Sequence, residues 1–129
     1  MSEKEIHHSI VLYLKGTAPA WIGMLPARAL CHHSPNGGQR LQFRLAQIRK
    51  GMVAGWPDLE LFIHPEDWIS EDKWAPIFLE IKSDKGKLSR GQELVIEYLQ
   101  SIGCPCFVVR SVEEVRTALE PYVRLRDGN

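Results

Sequence analysis

Two short apolar runs constrain this chain more than anything else in it: Asp58-Leu59-Glu60-Leu61-Phe62-Ile63 and Ile77-Phe78-Leu79-Glu80-Ile81-Lys82. Each reads as a β-strand. Each also carries charge that a buried strand has little use for. Asp58 follows Pro57 and opens the first run. Glu80 and Lys82 fall on one face of the second by the two-residue period of a strand, with Leu79 and Ile81 on the other. Charge among apolar neighbours is costly unless it is paired or bound to a metal. Taken singly, Asp58 is an ordinary turn acid, and Glu80 with Lys82 an ordinary surface ion pair. Together they have the layout of a metal-dependent phosphodiesterase site. Two carboxylates hold a hard cation through oxygen. A nearby ammonium orients the attacking water or stabilises a developing phosphorane.

The expected chemistry follows from charge. Asp58 and Glu80 ligate Mg²⁺ or Mn²⁺, with waters and a phosphate oxygen completing the shell. Lys82 contacts the attacking water or a phosphate oxygen. Residues 3–15 read as a helix with Ile6, Ile10 and Leu14 on one stripe. Glu3 lies three positions before Ile6, on the same face, and is therefore aimed at whatever the helix packs on. It is a further candidate for the metal, directly or through water. Glu5 projects to the far side.

The remaining pattern reads as one α/β domain of 129 residues. Trp21 to Cys31 is apolar and reads as a possible strand interrupted by Pro26. Residues 39–50 read as a second helix, with Leu41, Leu45 and Ile48 on one face and Arg40, Arg44 and Gln47 on another. Residues 64–76 form a polar connection carrying Trp68 and Trp74. Ser89-Arg90-Gly91-Gln92 has the form of a capping box opening a helix to about Ile102. Gln92 then has two possible roles: a cap, or an amide reaching toward Lys82 or the scissile phosphate. Cys104 to Arg110 is a short strand. Ser111 to Glu114 is a second capping box, for a helix to about Leu119. The fold expected is a small mixed sheet flanked by helices.

Composition narrows the partners. The formal net charge is zero, but its distribution is uneven. From Gly16 to Pro57 there is no acid, while Arg28, Arg40, Arg44, Arg49 and Lys50 lie there. Lys85, Lys87 and Arg90 follow the second apolar run. One basic face on a neutral protein suits a phosphate backbone. The loop His33-Ser34-Pro35-Asn36-Gly37-Gly38-Gln39-Arg40 is rich in donors and would contact DNA through His33, Asn36 and Arg40. Trp56, before Pro57-Asp58, is a candidate for base stacking. No apolar run approaches the roughly 20 residues of a membrane span, and no signal peptide is evident. The three cysteines lack a disulfide or zinc spacing, so a reducing cytoplasm is expected.

These residues carry a resemblance. Gly51-Met52-Val53-Ala54-Gly55-Trp56-Pro57-Asp58, then Glu80-Ile81-Lys82, then Leu88-Ser89-Arg90-Gly91-Gln92, resemble the VRR-NUC domains of the PD-(D/E)xK nuclease superfamily. His33 to Arg40 looks like that family's upstream loop, and Cys106 to Glu114 is similar to its last strand and helix. The likeness covers roughly residues 3–120. It implies a restriction-endonuclease-like core and a stand-alone VRR-NUC domain of phage or bacterial type, similar to Holliday-junction resolvases. It further implies an Mg²⁺- or Mn²⁺-dependent, structure-selective DNA endonuclease. By that resemblance Asp58, Glu80 and Lys82 are catalytic, Gln92 joins them, the carbonyl of Ile81 enters the metal shell, and a helix-one Glu takes part. The stripe favours Glu3 over Glu5 for that role. Relatives often carry Gln where His7 stands, and a small aliphatic residue where Trp56 stands. Cutting a two-fold symmetric junction needs paired incisions, so a homodimer is expected. The competing expectations are a nuclease for linear, nicked or flap DNA, and a non-catalytic DNA-binding module.

Overall fold

A computed structural model describes residues 1–34, 41–71 and 75–126, with the side chains of Leu41, Phe43 and Arg44 outside that description. Asn36, Arg40, Trp74 and the Arg44 side chain therefore lie outside the described residues. The order is α1 (Glu3–Lys15), β1 (Leu30–His33), α2 (Leu41–Arg49), β2 (Leu59–Phe62), β3 (Ile77–Ile81), α3 (Arg90–Ser101), β4 (Cys106–Val109) and α4 (Val112–Leu119). The strands form one mixed sheet in the order β1-β2-β3-β4. β1 with β2 and β2 with β3 are antiparallel, and β3 with β4 is parallel across the α3 crossover. This is the expected α/β class.

The faces of the sheet sort by strand alternation. Leu59, Leu61, Ile77, Leu79, Ile81 and Val109 pack against Ile6, Ile10 and Leu14 of α1 and Val115 and Leu119 of α4. Phe78 and Cys106 face the other way and pack with Ile96 and Leu99 of α3. All five β3 residues are buried because helices cover both faces. Each fully buried Leu or Ile contributes roughly 1.5–3 kcal/mol to such a core.

Helix starts follow local chemistry. Ser2 caps α1: its Oγ accepts the Glu5 N–H at 3.1 Å, and Glu5 Oε1 accepts the Ser2 N–H at 3.0 Å. The Ser2 amide also holds the Glu5 carboxyl below its usual range. Glu5 is thus a cap, engaged at its own helix start. At α4, Ser111 Oγ accepts the Glu114 N–H at 3.1 Å as expected. The reciprocal bond of a capping box is not the one formed. Glu114 Oε1 reaches one residue further back, to the Arg110 N–H at 2.9 Å.

Three expectations are corrected. Strand structure in the Trp21–Cys31 region is confined to Leu30–His33. Pro26 cannot donate to a ladder, and Met24 and Leu25 instead donate to Tyr13 and Leu14 carbonyls, pinning the segment to the end of α1. The 64–76 connection is not uniformly polar loop: Pro65–Asp67 form a 3-10 turn, and Trp68 is buried with its Nε1–H on the Ile63 carbonyl at 3.0 Å. Arg28 does not add to a basic face. Its guanidinium meets Asp67 at 3.0 and 3.2 Å and Glu66 at 3.4 Å. No helix among the described residues is long and apolar enough to cross a membrane.

Candidate active site

The β2–β3 register pairs Leu59 with Leu79 and Glu60 with Phe78. One step further along this antiparallel pair sets Asp58 opposite Glu80. Directly opposed residues carry their Cβ atoms roughly 4.5–5.5 Å apart on one face. The sheet therefore joins the two acids that the sequence separates. β1 continues alongside: the Asp58 carbonyl accepts the Ser34 N–H at 3.1 Å and the His33 Nδ1–H at 3.0 Å. Asp58 Oδ2 accepts the Ile81 N–H at 2.7 Å. A strand residue sends its N–H and C=O toward the same edge, so the Ile81 carbonyl also faces the Asp58 side.

Glu80 is the only charged residue buried among the described residues, at 2% exposure. Burial pushes its carboxyl up to about 9. The adjacent Asp58 carboxyl pushes the same way, Lys82 opposes it, and Glu3 adds a smaller upward push. Glu80 Oε2 accepts the Gln92 Nε2–H at 3.4 Å. Its other oxygen, Oε1, is buried and meets no hydrogen-bond donor beyond a proton shared with the Asp58 carboxyl. Two carboxyls this close cannot both ionise without a cation or a shared proton. A buried oxygen with no other donor, beside a second carboxylate, fits a divalent cation.

Gln92 forms the expected cap, and its amide reaches Glu80 rather than Lys82. Its Oε1 accepts the Ser89 N–H at 2.9 Å, completing the cap of α3, while its Nε2 reaches Glu80. The amide's two ends serve different elements. Lys82 leaves β3 with its N–H on the Val109 carbonyl at 3.0 Å, so the ladder continues and keeps Lys82 on the Glu80 face.

Glu3 stands at the exposed start of α1, a helix on the opposite face of the sheet from Glu80. It acts on Glu80 by charge. Among the described residues no three of His, Cys, Asp and Glu converge closely enough to hold a metal ion. The groups here that could hold a metal are the Asp58 and Glu80 carboxylates and the Ile81 carbonyl, and Glu3 is felt at Glu80 through its charge. That donor set suits Mg²⁺, which keeps several waters.

Lys85 and Lys87 are exposed just beyond Lys82 and have no ion-pair partner among the described residues; Arg90, also exposed, faces Glu93 at 3.5 Å. His33, expected to contact DNA, is engaged with the Asp58 backbone. Its ring meets His7 of α1 edge-on, with centroids 4.7 Å apart. Burial and the neighbouring His33 hold His7 below its usual pKa, while Asp58 pulls it upward. Sequence reasoning missed this histidine pair. The available signal was that His7 lies four residues after Glu3, on the same flank of α1. Trp56, the candidate for base stacking, is half-buried. Its ring meets Phe78 edge-on at 5.4 Å and packs against the smaller core cluster.

Gly55 explains how the loop before Asp58 meets α3. Its φ is +83°, and a methyl there would fall 2.8 Å from the Gly91 carbonyl carbon and 3.0 Å from the Gln92 nitrogen. Gly55→Ala is expected to cost about 1–3 kcal/mol and to lower activity by displacing Gln92. Gly91→Ala is the control, since a methyl there meets nothing nearer than Ser89 Oγ at 3.9 Å. Thermal melts and cleavage assays of the two variants check this; equal melting temperatures would sink it.

Comparison with known proteins bears on the fold and the family. No curated protein matches the chain. A solved structure described as a VRR_NUC domain protein shares its fold, with a TM-score of 0.66 at 21% identity, covering 98% of this chain and 92% of that one. The family model for the VRR-NUC domain matches residues 23–113, a span that includes Asp58, Glu80, Lys82 and Gln92. The chain therefore belongs to the VRR-NUC domain family, a nuclease-type family.

Proposed function

We propose that this protein is a metal-dependent endonuclease that hydrolyses phosphodiester bonds in branched DNA, four-way junctions foremost. The observation that carries the reading is the opposed Asp58–Glu80 pair, with Glu80 Oε1 buried and lacking any other donor, and Lys82 on the same face. A divalent cation held by Asp58, Glu80 and the Ile81 carbonyl would neutralise phosphate charge and lower the pKa of a bound water. The chain's own groups do the rest. Gln92 holds Glu80 Oε2 and leaves Oε1 for the cation. The Ile81 N–H fixes one Asp58 oxygen, leaving the other for the cation. Lys82 supplies a positive charge on the Glu80 face, placed to meet a phosphate oxygen or the attacking water. Lys85, Lys87 and Arg90 lie next in sequence and suit backbone phosphates.

The chain brings one such site. A junction has two-fold symmetry and needs paired cuts, so we assign a homodimer as the acting form. The apolar stripe expected on α2 supports this, since Leu45 and Ile48 remain 41% and 40% exposed.

The test is cleavage of a labelled four-way junction and a matched linear duplex with Mg²⁺, with Mn²⁺ and with EDTA. Paired cuts on the junction, absent in EDTA and absent for Asp58→Ala, are expected. Equal cutting of both substrates would move the assignment to linear, nicked or flap DNA. Binding without any cutting would favour a non-catalytic module.

A further inference from the structure

We propose that Arg110 is a positioning residue for Lys82, acting through the turn at residues 83–86; this rests on the reading of Lys82 as the site's ammonium. Arg110 follows β4 directly, and Val109 before it accepts the Lys82 N–H at 3.0 Å. The Arg110 side chain then crosses to the turn that follows Lys82. Its Nη1 donates to the Ser83 carbonyl, to Gly86 O at 2.7 Å and to Asp84 O at 3.3 Å. Three carbonyls of one turn converge on a single guanidinium nitrogen. The turn is closed by the Gly86 N–H on Ser83 O at 3.1 Å.

That turn forms a wall beside the Lys82 stem. A methyl on Gly86 would lie 3.5 Å from Lys82 Cδ and 2.9 Å from Ser83 Oγ. Lysine's flexible stem carries about 2 kcal/mol of rotamer entropy, so a fixed wall decides how narrowly its ammonium is placed. The base of Arg110 is fixed as well, because its own N–H donates to Glu114 Oε1 at 2.9 Å. No carboxylate lies within ion-pairing distance of the guanidinium among the described residues. Its charge is met by carbonyl dipoles, the arrangement of a clamp on backbone. The signal in the sequence was an arginine ending an otherwise apolar strand.

The experiment compares Arg110→Ala, Arg110→Lys, Lys82→Ala and the Arg110→Ala/Lys82→Ala double variant. Three quantities are read: single-turnover cleavage of the junction with Mg²⁺, junction affinity by anisotropy with Ca²⁺ in place of Mg²⁺, and NMR of the DNA-free protein. Arg110→Ala is expected to slow cleavage about 10–100-fold, the cost of a displaced catalytic group, with affinity within about threefold. Arg110→Lys should recover part of the rate. The double variant should be no slower than Lys82→Ala, since both act on one group. In the NMR arm the Gly86 amide should exchange at least about tenfold faster in Arg110→Ala, and the Lys82 side chain should lose order, with α3 amides unchanged. An affinity loss matching the rate loss would make Arg110 a phosphate contact and overturn the proposal. An additive double variant would overturn it too. If the wild type cuts no DNA, the catalytic reading of the site has failed separately. The NMR arm then decides alone: unchanged exchange at Gly86 and unchanged order at Lys82 overturn the clamp, and their joint loosening upholds it.

Discussion

Lys82→Ala is expected to lower single-turnover cleavage by roughly a thousandfold while leaving DNA affinity within about threefold. Lys82 is half-buried at the end of β3, and its charge pulls the Glu80 carboxyl down against the larger upward pushes of burial and Asp58. A cation placed there stabilises charge that develops only as the phosphate reacts, so its loss falls on rate. The exposed Lys85 and Lys87 should behave in the opposite sense. Their removal should weaken binding, flatten its salt dependence and spare the rate at saturation. Measuring rate and affinity separately for Lys82→Ala and a Lys85→Ala/Lys87→Ala variant checks both statements. A Lys82→Ala protein that cuts like the wild type would mean the site is misassigned.

Glu80→Gln should make the metal-free protein more stable and inactive at once. The folded-state pKa of Glu80 is raised from 4.5 to about 9. The folded protein thus keeps a proton on Glu80 that the unfolded chain releases. The stability this proton provides is complete below pH 4.5 and declines as pH rises toward about 9. Glutamine keeps the shape without that proton, so the variant escapes the decline. At pH 7 to 8 the gain is on the order of 3–5 kcal/mol, or roughly 10–20 °C in Tm. Added Mg²⁺ should raise the Tm of the wild type, because the ion binds only the folded state, and should leave Glu80→Gln almost unmoved. Calorimetry from pH 5 to 9 with and without Mg²⁺ reads all of this. A variant that melts below the wild type at pH 8 would show that Glu80 keeps no such proton, and one that responds equally to Mg²⁺ would show that no cation is held at Glu80.

Elements governed by neighbouring residues were legible in the chain. The Ile6-Ile10-Leu14 stripe delimits α1 to within its observed bounds, and all three residues are buried. The Ser89–Gln92 cap starts α3 where its spacing implies. The β3 run is a strand because Ile77-Phe78-Leu79 and Ile81 suit a pleat buried on both faces. Capping and periodicity act over a few residues, so they survive without knowledge of the rest of the fold. Where a competing local effect intervened, the reading failed. The possible strand from Trp21 to Cys31 is strand only at its end, past Pro26, and Glu114 preferred the Arg110 amide to that of Ser111.

The sequence by itself determined which residues carry charge into apolar strands, and hence that Asp58, Glu80 and Lys82 needed a reason to be there. It did not determine that Asp58 lies across from Glu80, because that depends on a register set beyond the long 64–76 connection. A slip of one residue would have turned Glu80 and Asp58 to opposite faces. Tertiary structure also decided that Gln92 spans from its own cap to Glu80, that His33 and His7 meet beside Asp58, and that Arg110 closes on the turn after Lys82. Each of these is a contact between elements distant in sequence. Such contacts are selected by packing of the whole core, whose energy no local window contains.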